Sequence, residues 1–260
     1  MKLKIFQADA FTGKLFGGNP AAVVPLQQWL PDEVLQNIAA ENNLAETAFY
    51  IPKENDFHLR WFTPAVEVDL CGHATLATAH VMYNLLGFAG PQINFHSRSG
   101  MLSVKRNGDL LTLNFPKDEL NKAEVSAEII KAVGTTPVEV VKGKNVLLVV
   151  LGSQKELEDV KPNATLIAPL HRHGMICTAK GNEVDYVSRC FFPNLGILED
   201  PVTGSANTIL VPYWAGKLGK NKLKAQQLSS RVGQLECELL GNRVEISGKA
   251  VTYLQGEIEV

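Results

Sequence analysis

A mixed α/β chain built as two similar halves is the fold class that this sequence predicts, and three observations predict it. Strand-like runs with alternating or continuous apolar residues outnumber helical ones. At 260 residues a single core is near the upper limit of its growth, which favours two packed halves. Finally, Phe62-Thr63-Pro64, with Gly72-His73-Ala74 eight residues on, is echoed by Phe191-Phe192-Pro193, with Gly204-Ser205-Ala206 eleven residues on. Each copy leads from an aromatic strand, through a glycine turn, into a helix of small residues. Taken alone, an echo of this length fits a duplication and two unrelated strand-turn-helix units equally well.

The elements follow in order. Strands are expected at 2–6, 21–25, 57–62, 101–105 and 110–115, each flanked by Gly, Pro or Asn turn chemistry. Pro31 at the first helical position, with Asp32 and Glu33 near the positive end, opens a helix. Its apolar Val34, Leu35 and Ile38 recur at helical spacing, and it stops near Asn42-Asn43. A second helix from about Ala74 to Leu86, ended by Gly87, is small and apolar almost all round and is therefore buried on most sides. The charged stretch Pro116 to Lys122 marks the boundary, near residue 117, between an N-terminal half (1–117) and a C-terminal half (118–260) whose last strand is able to pack back on the first. Beyond it, strands are expected at 138–141, 146–151, 164–168, 174–178, 184–192, 235–239 and 243–247, and helices near 126–133, 153–159 and 205–216.

Composition narrows the function. With 25 basic against 27 acidic side chains and a pI near 6.3, the chain has no field for gathering nucleic acid or acidic lipid, and a small molecule is the expected partner. The longest aliphatic run, Val146 to Leu151, is far short of the ~20 residues that cross a bilayer as a helix. Met1 to Phe6 lacks a secretory apolar region, so a cytoplasmic protein is expected. Cys71, Cys177, Cys190 and Cys237 are scattered and form no C-x-x-C pair, which suits buried thiols better than a disulfide framework or a zinc site. His171 and His173 have no evident third ligand and read as surface or rim residues. The lysine-rich run from Lys217 to Lys224 reads as a solvated loop.

Four places carry candidate chemistry. Glu46 lies between the end of a helix and an apolar strand; it is either a surface cap or a carboxyl whose apolar neighbours Leu44, Ala48 and Phe49 raise its pKa for taking and returning a proton. His73, after Gly72 and before a helix, is either a capping or core histidine or a neutral hydrogen-bonding partner, since a helix N-terminus disfavours the cation. Glu199 to Asn207 is either an ordinary N-cap or an active-site turn, with Asp200 facing the substrate, Gly204 allowing close approach and Ser205 donating a hydrogen bond. Gly17-Gly18-Asn19-Pro20 is a turn feeding a strand, from which Asn19 is able to reach a carboxylate or hydroxyl. Both helix-entry turns present unpaired N–H groups, so two such ends facing one cleft would clamp an acidic substrate without a metal.

Together G-N-P-A-A-V at 18–23, L-A-E-T-A-F at 44–49, D-L-C-G-H-A-T at 69–75 and E-D-P-V-T-G-S-A-N at 199–207 resemble the PhzF-like phenazine-biosynthesis family over essentially the whole chain. The resemblance implies a diaminopimelate epimerase-like fold, two halves each a curved sheet round a central helix with the site between them. It implies that Glu46 is the acid-base residue. His73, Asp200 and Ser205 would surround the reacting substrate, and Gly72 and Gly204 would supply backbone donors. It implies no cofactor, a small carboxylate substrate, an isomerase such as the one that acts on trans-2,3-dihydro-3-hydroxyanthranilate, and a homodimer. Two departures stand out. Ala45 replaces a serine that often precedes the family glutamate, and Cys71 sits where related epimerases and racemases carry a catalytic cysteine. Those enzymes need a second thiol, where this chain has Asp200 and Pro201, so Cys71 reads as packing with a one-thiol role left open.

Overall fold

Alternation of charged and apolar side chains in Lys2–Ala10 dictates an extended first strand, β1. The computed structural model describes all 260 residues. After β1 come β2 (Asn19–Pro25), α1 (Asp32–Asn42), β3 (Glu46–Lys53), β4 (Asp56–Phe62), β5 (Glu67–Val68), α2 (Gly72–Asn84), β6 (Gln92–Ser97), β7 (Gly100–Asn107) and β8 (Leu110–Pro116). The chain continues with β9 (Asn121–Ala123), α3 (Ala127–Val133), β10 (Glu139–Lys142), β11 (Val146–Val150), α4 (Gln154–Asp159), α5 (Ala164–Ile167), β12 (Gly174–Lys180), β13 (Tyr186–Phe192) and β14 (Ile197–Asp200). It ends with α6 (Asn207–Leu218), β15 (Lys222–Gln227), β16 (Gly233–Leu240), β17 (Arg243–Gly248) and β18 (Ala250–Glu259). Two units result, Met1–Asn114 with Ser247–Val260, and Phe115–Ile246.

In the first unit the strands lie in the order β18-β1-β2-β3-β4-β6-β7-β8, parallel at β2/β3 and β4/β6 and antiparallel elsewhere. The period of two along each strand sorts side chains to opposite faces. Ala22, Val24 and Phe49 join Leu35, Ile38 and Ala39 of α1 on one face. On the other face α2 packs against β1, β2, β3, β7 and β18, so the sheet curves round it. Twelve consecutive residues of α2, Gly72 to Tyr83, are buried, which is why its sequence is apolar on every side.

The second unit repeats the plan. Its order is β9-β10-β11-β12-β13-β15-β16, with the parallel pairs at β11/β12 and β13/β15. The run β10 to β16 thus matches β1 to β7 in strand direction, and α6 takes the place of α2. Tyr213 of α6 donates to Glu139 of β10 at 2.9 Å, and Trp214 donates to Thr178 of β12 at 3.0 Å and stacks on Tyr186 of β13. The opposite face is covered by α3, α4 and α5 through Ile129, Leu157 and Ile167.

Three expectations are corrected. Residues 164–168 are expected as a strand, but Asn163 accepts hydrogen bonds from Thr165 and Leu166 N–H and starts the helical turn α5; a local cap outweighs strand propensity over so short a run. The end of the lysine-rich run is strand β15 rather than loop: Lys222 and Lys224 face solvent while Leu223 and Ala225 are buried. Strands β6, β14 and β18 lie where no strand is expected; β18 is largely exposed and takes its definition from pairing with β1. No helix is long and apolar enough to cross a membrane.

Candidate active site

Glu46 opens β3, and strand alternation puts it on the same face as Ala48, opposite Phe49 and hence toward α2. The parallel register Ala21↔Glu46 sets the first residue of β3 beside the third of β2, so Asn19 and Glu46 lie toward the same end of the sheet. There α2 begins. Cys71 is extended and makes no side-chain cap, and the N–H groups of the first turn, Gly72 and His73 among them, have no partner within the helix.

The side chains meet closely. Glu46 Oε2 is 2.9 Å from His73 Nε2, the Asn19 amide is 3.2 Å from His73 Nδ1, and Cys71 Sγ is 3.5 Å from the same nitrogen. Asn19, Glu46, Cys71 and His73 are all buried, Glu46 to 8% exposure. Glu46 Oε2 is shielded from solvent and has no partner in regular hydrogen-bond geometry, His73 being its nearest polar neighbour.

The electrostatics differ from expectation at His73. Burial favours the neutral ring, yet the neighbouring Cys71 and Glu46 outweigh it and hold the imidazole pKa well above its ordinary value. Burial pushes the Cys71 thiol up to about 11. The expectation of a lowered His73 pKa is corrected in direction: Cys71 and the carboxylate at 2.9 Å act more strongly than burial and the partial charge of a helix end.

In the second unit, Asp200 ends β14 and is buried. Thr203 Oγ1 donates to its Oδ2 at 2.5 Å, Gln227 Nε2 donates to its carbonyl at 2.7 Å, and Thr203 N–H donates to Gln227 Oε1 at 2.8 Å. Asn207 continues the brace, donating to the carbonyls of Thr203 and Gly204 and accepting from the Tyr186 hydroxyl at 2.6 Å. Gly204 and Ser205 lie in the single 3-10 turn that precedes α6, Gly204 buried and Ser205 exposed. The first unit thus brings together Asn19, Glu46, Gly72 and His73, and the second Asp200, Gly204 and Ser205. Cys71, which reads from the sequence as packing with a one-thiol role open, and Gln227 are further residues at these places. Cys71 was in plain view within the D-L-C-G-H-A-T motif, whereas Gln227 carried no sequence signal because its strand was hidden in a lysine-rich stretch.

Comparisons with known proteins agree with this plan. The family model described as "Phenazine biosynthesis-like protein" matches residues 8–256. A Pseudomonas aeruginosa protein named "Uncharacterized isomerase" is 49% identical over 260 residues, covering 100% of both chains. The crystal structure of a phenazine biosynthesis protein of the PhzF family from Enterococcus faecalis superposes with a TM-score of 0.97 at 43% identity, covering 100% of both chains. A hydroxyproline epimerase from Agrobacterium vitis superposes with a TM-score of 0.61 at 9% identity, over 99% of this chain and 92% of that one, a likeness of fold. The repeated sheet-round-helix unit is the diaminopimelate epimerase-like architecture, and the chain belongs to the phenazine biosynthesis-like (PhzC-PhzF) family.

Proposed function

We propose that the protein is an isomerase of a small carboxylate-bearing metabolite and that it works by proton transfer through Glu46 without a cofactor. One observation carries this reading: a buried glutamate carboxylate lies 2.9 Å from a ring nitrogen of His73, at the N-terminus of the buried helix α2. Glu46 takes a proton from a substrate carbon and returns it to another, as in isomerisation of trans-2,3-dihydro-3-hydroxyanthranilate, so atoms and charge balance with no redox partner. His73 keeps the carboxylate in place and spreads its charge, and Asn19 fixes the imidazole ring. The N–H groups at the start of α2 suit a substrate carboxylate. Asp200 and Ser205 are assigned to orienting the substrate, Asp200 being preset by Thr203 and Gln227. The isomerase name of the Pseudomonas relative supports the reaction class.

The test is Glu46→Gln, which keeps the shape and removes the base. Turnover is expected to fall about 10²–10⁴-fold while ligand affinity changes little. Ligands come first from a screen of cyclic and acyclic carboxylates for a rise in melting temperature. Turnover in deuterated water then reports solvent hydrogen entering the product. Undiminished turnover in Glu46→Gln overturns the mechanism, and α-hydrogen exchange with inversion of an amino acid would identify an epimerase instead. The Cys71 thiol, pushed up to about 11, is poorly suited to be a racemase base.

A further inference from the structure

The place of Cys71 in the Glu46 cluster has a consequence separate from proton transfer. Glu46, Cys71 and His73 each offer one donor atom, and the three donors lie within 4.8 Å of one another. Sγ is 4.0 Å from His73 Nε2, which in turn is 2.9 Å from Glu46 Oε2. Donors this far apart surround a single ion at the ~2.0–2.3 Å bond lengths of zinc with small side-chain adjustments. All three residues are buried, and the carboxylate oxygen turned into the cluster has no regular hydrogen-bond partner.

We propose that Glu46, Cys71 and His73 form a binding site for a thiophilic divalent cation of the zinc class. The donor set selects the metal: one sulfur, one imidazole nitrogen and one carboxylate oxygen suit zinc or cobalt, whereas magnesium and calcium require a shell of oxygens. Three protein ligands leave a fourth position open for water or a small carboxylate. Asn19 completes the arrangement. Its amide faces Nδ1 at 3.2 Å, and turned end for end it presents Oδ1 to an Nδ1–H, the outer hydrogen bond that a metal-bound histidine normally makes. On coordination the thiol proton of Cys71 and the Nε2 proton of His73 leave to solvent; no electron is transferred. An ion here occupies Glu46 Oε2, so binding inhibits the isomerase. That last consequence rests on the function proposed above, while the binding itself does not.

The experiment uses the full-length protein freed of metal with a chelator and titrated with Co²⁺. The expected result is one equivalent bound, with the visible bands of tetrahedral cobalt and a near-ultraviolet thiolate-to-cobalt charge-transfer band, all displaced by Zn²⁺. Cys71→Ser is expected to lose the charge-transfer band and to bind at least ~100-fold more weakly. Glu46→Gln, which keeps the sulfur and nitrogen ligands, is expected to bind more weakly but to retain the band, with circular dichroism confirming that each variant is folded. A wild-type protein without the band, or a band that survives in folded Cys71→Ser, overturns the site. If the band behaves as expected but Glu46→Gln turns over normally, the metal site stands and the proposed catalytic mechanism falls.

Discussion

His80 shows how a single side chain couples packing to pH. It lies on the buried α2, with Nε2 2.9 Å from Thr252 Oγ1 of β18 and Nδ1 2.9 Å from the Asn84 amide. Burial, reinforced by the Arg106 charge, lowers its pKa from 6.5 to about 4. The unfolded chain therefore binds the proton more readily than the folded one, and the stabilising contribution is complete above pH 6.5 and is lost as the pH falls toward 4. The contribution is on the order of 3 kcal/mol. Urea unfolding of wild type and of His80→Gln at pH 7.5 and 4.5 isolates it: the variant is expected to lose that part of the acid sensitivity, and equal pH slopes would reject the assignment. Thr178 is a second decisive residue. Its hydroxyl donates to the Val187 carbonyl at 2.7 Å and accepts from the Trp214 indole at 3.0 Å. Thr178→Val keeps the shape and strands a buried N–H, so a loss of about 1–3 kcal/mol is expected in chemical denaturation.

Elements place the site residues by simple rules. Parity along β3 turns Glu46 to the α2 face, and the parallel register with β2 sets it beside Ala21, at the end of β2 that carries Asn19. The turn before Asn19 depends on Gly18, whose φ is +60° and where a Cβ would lie 2.1 Å from the Ala10 carbonyl oxygen. Gly18→Ala is expected to destabilise the protein by about 1–3 kcal/mol and to loosen Asn19 from His73, read as a changed imidazole chemical shift in NMR. Elements with strong local signals were legible in the sequence: α1 between its acidic first turn and the left-handed Asn43, α3 behind the Ser126 cap, and the all-apolar α2. Short or exposed elements were not. Asn163 made a helix of a segment rich in strand formers, and β18, with most of its middle exposed, has no apolar alternation to reveal it.

For the whole molecule, the end of the chain belongs to the first unit. β18 pairs with β1 from Lys2↔Glu259 to Ala10↔Ala250 and contacts α2. Removing Ala250–Val260 takes away the ladder partner of β1 and the Thr252 bond to His80, so the first unit is expected to lose its cooperative fold. Amide NMR tests this directly, since a truncated chain with native dispersion for β1 and α2 would contradict it. The unit plan was partly legible as well: the echo of Phe62–Ala74 in Phe191–Ala206 corresponds to a strand leading to a central helix in each unit, within the same order of parallel and antiparallel pairs.

The local code by itself determined the mixed α/β class, the two buried helices and the segments that carry Glu46, His73, Asp200 and Ser205, because period, caps and turn residues act over a few positions. Only the tertiary structure decided that the His73 pKa is raised rather than lowered, that Cys71 joins Glu46 and His73 in one cluster, and that Gln227 braces Asp200. Those outcomes depend on distances of a few ångströms between residues far apart in sequence, where burial and a neighbouring charge compete and the nearer charge wins.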